Sequence, residues 1–238
     1  MPFVLRRYIS GEWKRWTQIV AQNLNNYEIT VFATFYDREG GAPLLTFSDT
    51  IPAYSSHWYN TRHGAQVPGG ASTFDALGDE FLGSAVISST EPIVGLSTVL
   101  REGVAGASQG LPYGSGTLVY PVLYRTKGGG QWTGYSAVVV QNLDPDDAIT
   151  VHAQFLNSDG TVGVEFDADI PANSAHSYNT RLGAQTPGGA GTYSPLGTSW
   201  VGTAIVSTTS PDGIVGMVQN TMKGSGYGYM TNYNPVEQ

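Results

Sequence analysis

EITVFATFY at 28–36 and AITVHAQFL at 148–156 are one pattern written twice. In the first stretch Ile29, Val31, Ala33 and Phe35 alternate with Thr30, Phe32, Thr34 and Tyr36. In the second, Ile149, Val151, Ala153 and Phe155 alternate with Thr150, His152, Gln154 and Leu156. A period of two gives a strand one apolar face and one mixed face. DREGG (37–41) and NSDG (157–160) follow as hairpin-type turns.

Outward from these strands the duplication holds. Gln22-Asn23-Leu24 recurs as Gln141-Asn142-Leu143, and Trp13 as Trp132, at an offset of 119. The same offset relates Tyr59-Asn60-Thr61-Arg62 to Tyr178-Asn179-Thr180-Arg181, and Pro68-Gly69-Gly70 to Pro187-Gly188-Gly189. FLGSAVISST (81–90) pairs with WVGTAIVSTT (200–209), and IVGLSTVL (93–100) with IVGMVQNT (214–221). Gaps fall in turns, as two copies of one fold require. No segment has a period of 3.6, and short strands broken by turn signals imply an all-β chain. The expected fold is two tandem Ig-like β-sandwich domains: copy one over 1–102, a Gly-rich linker at 103–117, and copy two with a C-terminal tail over 118–238.

The 238 residues carry 13% charge and a net charge of −8. An acidic chain without a Lys/Arg cluster is a poor partner for nucleic acid. There is no cysteine, so disulfides and thiolate metal sites are excluded. No run of 18 apolar residues offers a membrane-spanning helix. No N-x-S/T sequon occurs, while the many Ser and Thr residues permit O-linked glycans.

Little in the chain predicts catalysis. GASQG (106–110) matches the G-x-S-x-G nucleophile pattern but sits in a Gly-rich stretch with no helix after it. His57 and His176 are repeat equivalents, whereas His63 faces Leu182 and His152 faces Phe32. Asp144, Asp146 and Asp147 share a turn that could offer oxygen ligands to Ca²⁺, without EF-hand spacing. Asp167 and Asp169 fall on one strand face, but copy one has Ser48 and Thr50 there. The expectation is no enzyme, no metal and no cofactor. The doubled YNTR reads as a structural corner. Tyr59 and Tyr178 would cap each core with the hydroxyl reaching backbone, and Arg62 and Arg181 would hold a carboxylate or carbonyls.

The ends carry the functional expectation. MPFVLRR at the start is the repeat equivalent of YPVLYR at 120–125, so a second copy's N-terminus would continue the pattern where the first ends. This predicts head-to-tail self-assembly by β-strand addition. Pro2, Phe3, Val4, Leu5 and Arg6 form the assembly strand, and Val119, Pro121, Val122, Leu123 and Tyr124 do the same job between the copies. The alternative is that 2–8 is the first strand of its own domain. Tyr227, Tyr229 and Tyr233 mark a tail expected to dock on a neighbour.

LVYPVLYR, then Trp132, VVVQNLDPDDAITVHAQFLNSDG and IPANSAHSYNTR resemble the tandem β-sandwich repeats of large secreted bacterial surface proteins. The phased ends resemble, in function, pilins assembled by donor-strand complementation. The resemblance implies an extracellular or cell-surface role: a filament subunit, or alternatively an adhesin or carbohydrate-binding module.

Overall fold

The structure is a computed structural model and describes residues 1–101, 104–224 and 227–237. The chain divides into two compact units, Met1–Pro112 and Tyr113–Gln238, each a β-sandwich. The first contains β1 (Val4–Ile9), β2 (Glu12–Asn23), β3 (Ile29–Asp37), β4 (Leu45–Ile51), β5 (Ser56–Asn60), β6 (Gly64–Ala65), β7 (Glu80–Ser88), β8 (Ile93–Arg101) and β9 (Val104–Gln109). The second contains β10 (Thr117–Gly128), β11 (Gln131–Asn142), β12 (Ile149–Leu156), β13 (Val162–Ile170), β14 (Ala175–Asn179), β15 (Gly183–Ala184), β16 (Ser199–Ser207), β17 (Ile214–Gly224), β18 (Tyr227–Tyr233) and β19 (Val236–Glu237).

Strand order in the first unit is β4-β3-β7-β1-β2-β5-β6, with β8 on the other edge of β2 and β9 beyond it. β2 is the hinge of the sandwich. Its first half pairs with β1 (Arg6↔Trp16) and its second with β5 (Gln18↔Asn60), while β8 follows its opposite edge. The second unit repeats this order with β13-β12-β16-β10-β11-β14-β15, and with β17 and β18 beyond β11.

The alternating strands behave as their pattern predicts. Ile29, Val31, Ala33 and Phe35 are buried, as are Ile149, Val151, Ala153 and Phe155. Each core is completed by a 3₁₀ segment that sequence periodicity does not reveal. Gly70–Leu77 inserts Phe74 and Leu77, and Gly189–Leu196 inserts Tyr193 and Leu196. An i,i+3 pair of apolar residues is too short a signal to register as a helix. Phe74 packs edge-on against Phe35 at 5.6 Å, and Tyr193 against Phe155 at 5.1 Å.

The expected linker differs. Part of 103–117 is strand: Val104–Gln109 pairs with β8, and Thr117 already belongs to β10. The expected boundary at 102/103 lies outside the described residues. Gly106, Ala107 and Ser108 have low β-propensity, so the stretch reads as loop until its pairing is seen.

The two halves differ at one edge. Thr117–Tyr120 of β10 pairs with Ser207–Ala204 of β16. In the first unit the matching residue of Tyr120 is Met1, whose carbonyl accepts from the Ala85 amide at 2.9 Å. Leu118 and Tyr120 are fully buried, and so are their neighbours Val206 and Ile214, whereas Ile87 and Ile93 are only half-buried.

Candidate functional site

The doubled string folds into a corner held by the side chains of its Asn, Thr and Gln residues. Asn60 Oδ1 accepts the amides of Arg62 (2.9 Å) and His63 (3.1 Å), and Asn179 Oδ1 those of Arg181 (3.0 Å) and Leu182 (2.9 Å). Thr61 Oγ1 accepts from Thr17 N and donates to Leu5 O, which ties the corner to β1 and β2. Gln66 Oε1 accepts the Trp58 amide at 2.8 Å, and Gln185 Oε1 that of Ser177 at 3.0 Å. Gly64 and Gly183 hold φ of +76° and +80° against the backbone of Gly70 and Gly189, where a Cβ has no room.

Among the described residues the arginines of the corner hold no carboxylate. Arg62 lies over the Trp16 ring at 4.7 Å and Arg181 over Tyr135 at 5.1 Å, so both act as cation–π partners. The gripping role falls to Arg6. Buried in β1, it bonds Thr61 O, Gly78 O (2.8 Å) and Asp75 (3.2 Å), and stacks on Trp13 at 4.9 Å. Its equivalent Arg125 bonds Tyr193 O at 3.0 Å and stacks on Trp132 at 4.5 Å.

Nor does the tyrosine hydroxyl reach backbone. Asp49 Oδ2 accepts from Tyr59 Oη at 3.0 Å and stands 2.6 Å from His57 Nδ1. Burial first, then the Asp49 charge, pushes the Tyr59 phenol up. Ala168 occupies the position of Asp49 in the second sandwich, and the buried Tyr178 hydroxyl has no hydrogen-bond partner among the described residues. Aligning SDT (48–50) with DAD (167–169) reveals the swap, but only the fold shows that the middle residue points inward.

The other expected residues fall as follows. Pro2, Phe3, Val4, Leu5 and Arg6 are all buried; Val4 and Leu5 pair with Gly83 and Leu82 of β7 in their own sandwich. In β10, Leu123 is fully buried, Val119 and Tyr124 are half-buried, and Pro121 and Val122 are exposed at a bulge. Tyr227, Tyr229 and Tyr233 belong to β18, whose backbone pairs with Gly224, Met222 and Val218 of β17; their side chains fall outside the described residues. The tail thus runs as a strand of its own sheet, where a free docking segment was expected.

Ser108 of GASQG lies buried in β9 with no helix behind it. Asp144 Oδ1 accepts the amides of Asp146 and Asp147, which lowers its pKa and closes the acidic turn on itself. Among the described residues no group of three His, Asp or Glu side chains could hold a metal ion. His152 Nδ1 bonds Asp167 at 2.7 Å on the outer face, and Ser207 of β16 is its directly opposite residue.

Fold and site define an all-β protein of two β-sandwich halves. No family model matches the sequence, and no curated protein does. Among solved structures, a crystal structure of Thermotoga maritima 1070 is similar over 54% of this chain and 97% of its own, at 10% identity and TM-score 0.39. A β-glucuronidase from glycoside hydrolase family 2 is similar over 98% of this chain and 25% of its own, at 12% identity and TM-score 0.17.

No helix among the described residues is long and apolar enough to cross a membrane.

Proposed function

We propose that this protein is the structural subunit of an extracellular bacterial filament. Copies join head to tail when the segment Pro2–Arg6 of one enters the sandwich of the next by β-strand addition. The observation that carries this reading is the slot of Pro2–Arg6 itself: the segment is buried, and Val4 and Leu5 pair with Gly83 and Leu82 of β7, as Leu123 and Tyr124 pair with Gly202 and Val201 of β16 in the second sandwich. Exchanging such an element between copies is domain swapping, a low-cost route to assembly. A Pro2–Arg6 segment that enters a neighbour's slot makes there the contacts it makes at home, so exchange is nearly neutral in energy and concentration decides it. Because the contact is heterologous and does not close, it propagates.

Electron microscopy of the full chain, beside a chain lacking residues 1–8, tests this. Fibres from the first and none from the second are expected. Fibres of normal length from the truncated chain would refute it.

One observation favours a second reading, a surface adhesin or carbohydrate-binding module. Trp58 is half exposed on an outer sheet face, directly opposite Val20, which faces Leu96 across the next strand. A flat ring rimmed by Gln18, Gln22 and Gln66 suits a sugar face. Specific glycan binding by the full chain that disappears in W58A, with no fibres visible, would move the assignment there.

A further inference from the structure

Each sandwich carries a charged row that its sister lacks. On the first, Arg15 of β2 stands directly opposite Arg7 of β1 on one side and Arg101 of β8 on the other. Directly opposite residues share a face, about 5 Å apart, so three arginines make a row roughly 10 Å long. Like charges in this position repel one another. The same positions in the second sandwich hold Thr126, Gly134 and Met222, in the same pairing. Arg7 also meets Glu80 at 3.3 Å, with both side chains about half exposed or more.

On the second sandwich, β13 is an edge strand and presents Glu165, Asp167 and Asp169 outward at alternate positions. Alternate residues are about 7 Å apart, so this row spans roughly 14 Å. Gln154, His152 and Thr150 bond the three carboxylates from β12 and hold them upright, and His152 Nε2 stands 3.9 Å from Glu165. Glu165 and Asp167 remain 57% and 70% exposed. The first sandwich has Thr46, Ser48 and Thr50 at these positions.

We propose that the arginine row of one copy docks on the carboxylate row of the next, and that this pair of rows sets the direction and register of assembly. This rests on the filament reading above and adds its specificity element. Three arginines and three carboxylates on opposite repeats, in rows of roughly 10 Å and roughly 14 Å, are complementary in sign between copies. The long guanidinium arms span the difference between the rows and can meet carboxylates bidentately. The arrangement also disfavours wrong pairings: two first sandwiches or two second sandwiches would set like charges together.

Two charge-reversed full-length chains test the contact, one carrying R7E, R15E and R101E, the other E165K, D167K and D169K. Self-association is followed by sedimentation velocity at an ionic strength of about 0.01 M, and folding by circular dichroism. Each reversed chain alone should associate at least about tenfold more weakly than wild type. An equimolar mixture should recover wild-type association, because every contact in it again joins opposite signs. Recovery should vanish at about 1 M salt, where the screening length is ~3 Å. If arginine reversal unfolds the chain, the neutral R15Q variant must still weaken association. A reversed chain that associates like wild type, or a mixture that fails to recover, overturns the contact. So does self-association independent of both rows in a chain whose arginines bind dextran sulfate, which would assign the row to a polyanionic glycan. Fibres that survive both reversals but need residues 1–8 refute the docking rows and leave the filament standing. A wild-type chain that stays monomeric at every salt concentration refutes both.

Discussion

Asp49 accepts the hydrogen bond of Tyr59 at 3.0 Å, where the second sandwich has Ala168 and a Tyr178 hydroxyl without a partner among the described residues. Equivalent tyrosines should therefore respond oppositely to loss of the hydroxyl. Y59F removes a hydrogen bond to a charged group and should destabilise the first sandwich by about 1.5–3 kcal/mol. Y178F removes a buried hydroxyl without a partner and should be neutral or stabilising by about 1 kcal/mol. Urea denaturation of the two variants checks the sign; equal losses would mean that the Asp49 contact contributes nothing.

Burial pushes the phenols of Tyr59, Tyr178 and Tyr193 up from their ordinary value. Above pH about 10 the unfolded chain releases these protons while the folded chain keeps them. The unfolded state then binds fewer protons, so stability falls as pH rises beyond about 10 and is unaffected by these groups below it. Denaturant midpoints measured across that range, with tyrosinate absorbance as the proton count, should show alkaline loss that shrinks in Y59F and Y193F.

Gly95 and Gly216 occupy one position in β8 and β17, opposite Ala21 and Val140. A Cβ at Gly216 would strike the Tyr120 hydroxyl and come within 2.8 Å of the Val139 carbonyl. At Gly95 it would meet the end of the flexible Met1 side chain at 2.5 Å, with Val20 O a distant 3.9 Å. G216A should cost about 1–3 kcal/mol by overpacking, and G95A less than about 1 kcal/mol. Thermal melts of both variants decide it, and equal effects would count against the difference in packing.

The β7 edge has a direct spectroscopic signature. Alternation places the Ile87 amide on the same side as the Ala85 amide, which Met1 O accepts. In the monomeric 238-residue chain Ile87 should exchange its amide hydrogen fast and Val206, paired with Leu118, slowly. L118A should cost about 2–5 kcal/mol and accelerate exchange at Val206. Ile87 as protected as Val206 in the monomer would mean that the two edges are equally well paired.

The sequence by itself determined the strands, their doubling and the apolar faces. Alternation at Ile29–Tyr36 and Ile149–Leu156 is a local property, fixed by the two-residue pleat, and the offset of 119 follows from letters alone. Tertiary structure decided what touches what. The low-propensity stretch Val104–Gln109 becomes a strand because β8 offers it an edge. The 3₁₀ segments form where Phe74 and Tyr193 close the cores. Arg62 finds a ring and Arg6 the carbonyls and the carboxylate, although the sequence pointed to Arg62 for that grip and to Arg6 for an assembly strand. The row Arg7–Arg15–Arg101 spans 94 residues of sequence and exists only once β1, β2 and β8 lie side by side. A charge pattern across strands leaves no period along the chain, because register between strands is set by the packing of the whole sandwich.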